Sequence, residues 1–363
     1  MMLKTFQYDE VPVLETTSGK LKGYFYDGSY VFKGIPYAYA ERFQMPVPSH
    51  WDGVRDACSY GFVCPLMTQE TPTAELMVPH RYWPMDEHCQ NLNIWTKVLD
   101  KNAKKPVIVW LHGGGYFAGS SIEQVAATGA YVGNGPQAND WFQGNPLQFG
   151  MREHAYEIPV MIGSVYGEFA FAPQMFDKKA LTDEERRAMV SKVYGEHTGE
   201  METLFKATYP GKDFTDLLNI DRVMRQPSKK LAAMHAKGEK AGTYLYQFNV
   251  EFPMMGKIAW HCSDIPFFFH NTELVEVCSI PGVTEKLEEQ MFGAFMNFAK
   301  NGVPTQENLP AWPSVEKEQE PTMIFDETCE VRNHFDDALL EKIDSILPPF
   351  NLMAMMADTD VQH

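Results

Sequence analysis

The chain has 363 residues, with 31 Lys and Arg against 48 Asp and Glu, a formal net charge of −17 at pH 7. Hydrophobic residues make up 44% and charged residues 22%. That is enough apolar surface to offset the entropy of ordering, so a wholly disordered chain is excluded. The acidic surface also argues against nucleic acid or an anionic membrane as the main partner, since both would repel it.

The charge is uneven: residues 1–130 carry a net −2 and residues 131–363 a net −15, which reads as a well-solvated acidic face. Six cysteines (Cys58, Cys64, Cys89, Cys262, Cys278 and Cys329) are too few for a disulfide scaffold, and none is spaced as CxxC for zinc. The first ten residues hold no apolar signal core, and no run of about 18 apolar residues occurs. The expectation is a cytoplasmic protein with reduced thiols, no membrane partner, no metal and no cofactor.

In chain order, residues 11–14, 21–26 and 30–32 lean towards β structure, punctuated by Ser18-Gly19 and Asp27-Gly28-Ser29. Pro36, Pro46 and Pro48 exclude a long helix in the stretch that follows. Residues 92–98 form another predicted strand. Residues 106–111, Pro-Val-Ile-Val-Trp-Leu, are continuously apolar and rich in β-branched side chains, which predicts a strand covered on both faces.

A second such strand is predicted over 158–162, ending at Gly163, and a third over 243–250. Between them, Thr182 with Glu185 makes a capping box that opens a helix carrying Met189, Val190, Val193 and Tyr194 on one face. Residues 285–300 predict a longer amphipathic helix with Leu287, Met291, Phe295 and Phe298 inward, stopped at Asn301-Gly302. Strands interspersed with helices, two of the strands running into glycine turns, predict an α/β sheet.

The chemistry begins at His112-Gly113-Gly114-Gly115, directly after the first apolar strand. Three glycines leave their N–H groups uncovered, and such groups aimed at one point stabilise an oxyanion in acyl transfer. With the preceding strand and His112, the run matches an esterase oxyanion motif. From here the chain resembles the type B carboxylesterases, the group of cholinesterases and para-nitrobenzyl esterases. The segments 32–38 (FKGIPYA), 41–46 (ERFQMP), 87–95 (EHCQNLNIW) and 111–121 (LHGGGYFAGSS) are each similar to family signatures, with His88 and Gln90 departing from the usual Asp and Leu.

The resemblance implies a buried Arg42–Glu87 ion pair. It matches Cys64 and Cys89 to a disulfide of secreted members, here expected as thiols, and Gly114 and Gly115 to the oxyanion hole. In the second half, 163–168 (GSVYGE) resembles the family segment whose Glu is the triad acid, with Gly167 in place of an Asp. Residues 261–269 (HCSDIPFFF) resemble the segment that supplies the triad histidine. The implied catalytic residues are therefore His261 as general base and Glu168 as the carboxylate that fixes its tautomer.

One part is missing. A nucleophile elbow, G-x-S-x-G, should lie between Gly115 and Glu168, yet none of the 13 serines sits in that pattern. Ser121 has Gly119 two positions before it but Glu123 two positions after. Ser120 and Ser121 read better as turn residues, and Ser164 lies in the acid's own loop. Cys262 adjoins His261, but adjacent side chains usually point apart, which argues against a Cys–His couple.

The expectation is one α/β-hydrolase-like domain over 1–363. Residues 1–124 hold the oxyanion loop, 125–140 form a junction where family sequence is missing, and 141–363 hold the acid and the histidine. Its central sheet would carry helices on both faces but lack central strands. The function implied is hydrolysis of small carboxylic esters through an acyl-enzyme, strongly impaired for want of a serine. The alternative is a non-catalytic binding protein on the same scaffold. Either strand 106–111 closes up against strand 158–162, or an exposed edge and apolar surface lead to self-association.

Overall fold

The computed structural model describes residues 6–7, 11–42, 44–65, 83–111, 143–170 and 176–349. The chain divides into two compact units, Met1–Gly135 and Pro136–His363.

The first unit is built from short strands. β1 (Val13–Thr16) pairs antiparallel with β2 (Gly19–Lys22), which pairs parallel with Val54–Asp56. β3 (Tyr24–Tyr26), β4 (Ser29–Pro36) and β5 (Asn91–Thr96) form an antiparallel set extended by Phe6–Gln7. The predicted turn at Asp27-Gly28 is a two-residue hairpin with both residues at positive φ, 49° and 73°, which suits the twist of the strands it joins. Leu21, Phe32, Ile35 and Ala57 make the core of this unit, with Trp51 and Leu14 packed against it.

The apolar run at 106–111 departs from expectation. It forms no strand, and Val107, Val109 and Leu111 are 82%, 75% and 83% exposed. A continuous apolar run becomes a buried strand only when neighbours flank both its edges and cover both its faces. Among the described residues this run has no strand partner.

The second unit carries a four-stranded sheet in the order β6 (Val160–Val165), β7 (Thr243–Phe248), β8 (Pro321–Phe325) and β9 (Glu330–Asn333). β6, β7 and β8 are parallel, and β9 is antiparallel to β8. Paired positions put Gly163, Tyr246 and Met323 on one face, with Val165, Phe248 and Phe325 beside them. Onto this face pack Phe267 and Phe268, with Phe295 against Phe268.

Gly163 is required by that packing. A Cβ there would lie 1.8 Å from the Tyr246 ring. The opposite face buries Leu245 against Ala232 and Val315.

The helices follow their sequence signals. α1 (Asp183–Tyr194) opens on the Thr182–Glu185 capping box, with both reciprocal bonds made; Val190 and Tyr194 are buried, while Val193 faces solvent. α2 (Thr198–Thr208) follows. α3 (Arg225–Ala236) begins where Asp221 accepts the N–H groups of Val223, Met224 and Arg225 at 2.8, 3.0 and 2.8 Å. α4 (Ile265–Phe268) is a single turn. α5 (Thr284–Asn301) buries Leu287 and Met291 and ends on Gly302 in the left-handed conformation, φ 73°. α6 (Asp337–Ile346) closes the described chain.

A buried ionic network crosses this unit. Arg225 Nε meets Asp336 Oδ2 at 2.7 Å, and Lys229 Nζ meets Asp336 Oδ1 at 2.7 Å and Glu320 Oε1 at 3.0 Å.

Candidate active site

β6 and β7 run parallel in register, so their carboxyl ends open on the same edge of the sheet, where α/β folds place ligands. Glu168 lies three residues beyond β6. His261 follows β7 after a small hairpin of Glu251–Phe252 with Lys257–Ile258. Main-chain bonds sew the two loops together: Tyr166 N to Phe248 O at 2.9 Å, Gly167 N to Ala259 O at 2.9 Å, and His261 N to Glu168 O at 3.1 Å.

Within this frame Glu168, 8% exposed, hydrogen-bonds His261 Nδ1 through Oε1 and accepts Val165 N–H on Oε2 at 3.4 Å. The two residues expected to form an acid–histidine pair are thus side by side, 93 positions apart in sequence. Gly167 shows why the usual Asp is absent. A Cβ there would come within 2.3 Å of Ile258 Cδ1 and 2.9 Å of Asn219 O.

The surroundings are strongly acidic. Burial pushes the Asp264 carboxyl up to about 6, reinforced by the charge of Glu168. Asp264 accepts Tyr246 O–H at 2.9 Å on Oδ2. Burial likewise raises Asp221 to about 6, and Glu168 again adds to the shift. At His261 burial opposes the imidazolium, but the influence of neighbouring Cys262 and the hydrogen bond that the ring donates to Glu168 outweigh it and push the ring up to about 11.

Cys262 follows His261 at φ 67°, a left-handed conformation uncommon for a cysteine. Asp264 and Tyr246 were not singled out in the sequence. The signal for Tyr246 is Gly163 within a strand, since a glycine there marks close approach of a bulky neighbour.

Other expected site residues fall differently. Gly114 and Gly115, with Ser120, Ser121 and the whole junction 125–140, lie outside the described residues. Ser164 is not in the acid's loop but inside β6, and at 5% exposure it is closed to a substrate. Arg42 and Glu87 do pair, but their side chains are 68% and 50% exposed, so the pair is a surface one. No described element covers it, and its contribution falls to about 1 kcal/mol or less. Cys64 and Cys89 are free thiols, and the nearby Cys89 thiol draws Cys64 down to about 7, against burial.

Among the described residues, one trio of His and carboxylate groups is close enough to hold an ion: Glu320, His334 and Asp337. Lys229 Nζ already pairs with both carboxylates, so an ammonium supplies the positive charge there.

A parallel sheet with a carboxylate–histidine pair at its carboxyl edge defines the chain as an α/β hydrolase, and the comparisons specify which kind. The sequence profile of the carboxylesterase family matches residues 10–135 and 124–341, and the chain belongs to that family.

An esterase from Clostridium hathewayi, described as able to hydrolyse aliphatic aromatic polyesters, superposes with a TM-score of 0.86 at 33% identity, covering 95% of this chain and 100% of that one. A para-nitrobenzyl esterase structure gives a TM-score of 0.61 at 18% identity over 93% of this chain and 100% of that one, a likeness of fold. In sequence, phenmedipham hydrolase of Pseudarthrobacter oxydans is 40% identical over 129 residues, 34% of this chain and 26% of that protein. Acetylcholinesterase of Gallus gallus is 34% identical over 143 residues, 35% of this chain and 18% of that protein. The chain thus spans about a quarter or less of the curated relatives it matches.

No helix among the described residues is long and apolar enough to cross a membrane.

Proposed function

We propose that this protein is a carboxylesterase-family hydrolase that keeps the proton-transfer half of the ester-hydrolysing site, Glu168 and His261, and lacks the serine that would form the acyl-enzyme. The observation that carries this reading is the Glu168–His261 bond, set beside a sequence with no G-x-S-x-G. Glu168 holds the ring by Nδ1, which fixes its tautomer and stabilises its positive charge. Gly114 and Gly115 would supply oxyanion N–H groups, as the family resemblance implies, and the substrates would be small carboxylic esters.

The family match supports the position of the loss. It comes in two pieces that meet over residues 124–135, within the stretch where the elbow belongs. A His pushed up to about 11 is an imidazolium at neutral pH and a poor base for activating a hydroxyl. That favours negligible serine-dependent turnover, or a binding role on the same scaffold.

Labelling with a fluorophosphonate probe, followed by peptide mapping, tests it. We expect no serine to be modified under conditions that label a serine esterase to completion. A labelled serine whose modification disappears in His261→Ala would overturn the reading.

A further inference from the structure

We propose that Lys257 is a positioning residue for the acid–histidine pair, holding the turn that carries Glu168 and the segment that carries His261 in one alignment. The inference rests on the reading of Glu168 and His261 as a proton-transfer pair and deepens it by one residue.

Lys257 opens the second strand of the hairpin between β7 and His261, and its pairing with Phe252 turns both side chains to one face of that hairpin. It is 4% exposed. Its Nζ donates to Ala170 O at 2.6 Å and lies 5.0 Å from the centre of the Trp260 ring, against which Phe252 also packs. The ammonium therefore touches both segments of the site. Ala170 closes the turn of Glu168 through its own N–H to Gly167 O at 2.8 Å, and Trp260 is the residue before His261.

The position of this bond completes a clamp. The main-chain bonds from Gly167 N to Ala259 O and from His261 N to Glu168 O hold the near side of the turn. The Lys257 bond holds its far side, beyond Glu168. Residues 167, 168 and 170 are thus tied to 259, 261 and 257, which leaves the Glu168 carboxyl little freedom to swing away from the ring.

Packing alone would not select a lysine here. A buried ammonium loses its hydration, and a methionine fills a similar volume without that cost. Burial draws Lys257 down to about 8, the mark of that penalty. What the charge gains is a hydrogen bond stronger than a neutral donor would make, and attraction to the face of an indole ring. Both gains fall on the flanks of the acid and the histidine. Lys257 acts through those two residues and not on a reacting atom.

The test reads the proton between His261 Nδ1 and Glu168 as a low-field signal in the proton NMR spectrum of the full chain, assigned by its disappearance in His261→Ala. In Lys257→Met that proton should exchange with water at least about tenfold faster than in the parent chain, relative to the Leu245 amide of β7. Lys257→Arg, which keeps a cationic donor, should restore slow exchange at least in part. Circular dichroism checks the fold of each variant. If Lys257→Met does not fold, Lys257→Gln, one bond too short to reach Ala170 O as lysine does, carries the same expectation.

A merely structural lysine would lower the melting temperature and speed both exchange rates together, leaving their ratio unchanged. An unchanged ratio in a folded Lys257→Met or Lys257→Gln overturns the proposal while the acid–histidine pair stands. A parent chain with no low-field signal that depends on His261 overturns both.

Discussion

Cys262 and Asp264 sit two positions apart and both place a stability cost beside the candidate site. Replacing Cys262 by glycine removes the left-handed strain, so Cys262→Gly should melt a few degrees higher than the parent chain. The gain expected is roughly 1 kcal/mol. A variant that melts lower would show that packing of the Cys262 side chain outweighs the strain.

Asp264 makes a second prediction through pH. Its folded-state pKa of about 6 lies above the unfolded value, so the folded chain holds that proton more tightly. The associated stability is complete below about pH 4 and is lost as pH rises through about 6. Above that, the buried carboxylate is ionised beside Glu168. Asp264→Asn should therefore raise the unfolding free energy measured by urea titration at pH 8 by about 1–3 kcal/mol, with the advantage gone near pH 4. An equal effect at both pH values would show that the carboxyl's charge is not responsible.

At the level of elements, the sheet of the second unit depends on one small residue. Gly163→Ala would drive a methyl group into the Tyr246 ring, whose hydroxyl is tied to Asp264, so the ring cannot swing away without breaking that bond. A loss of about 3 kcal/mol is expected, read by thermal unfolding, together with a weaker Glu168–His261 bond.

The elements most legible in the sequence were those with local signals. The Thr182–Glu185 box, the glycine stop of α5 and the Asp27-Gly28 hairpin each depend on side chains within four residues of one another. Strand 106–111 was misread because its burial depends on neighbours distant in sequence, and an apolar run records only what it would need. The acid and the histidine were legible only as members of family motifs. The left-handed backbone at Cys262 was not legible at all, because nothing in the residue type announces it.

Over the whole molecule, the exposed run at 107–111 is the feature out of keeping with an acidic, well-solvated chain. Trp110, Val107 and Leu111 lie in the portion of the sequence whose net charge is nearly balanced, so repulsion there does little to oppose contact between copies. Sedimentation velocity should show concentration-dependent association. Val109→Lys with Leu111→Lys should reduce it along with binding of a hydrophobic dye, while a monomer at all concentrations would count against association.

The bonds around the acid and the histidine have a different kind of consequence. Gly167 N to Ala259 O and His261 N to Glu168 O are main-chain contacts that hold two loops of one compact unit, and they would be kept for folding alone. A pair of residues anchored in that way is held in place whether or not it takes part in a reaction. Loss of a nucleophile would leave the two residues aligned.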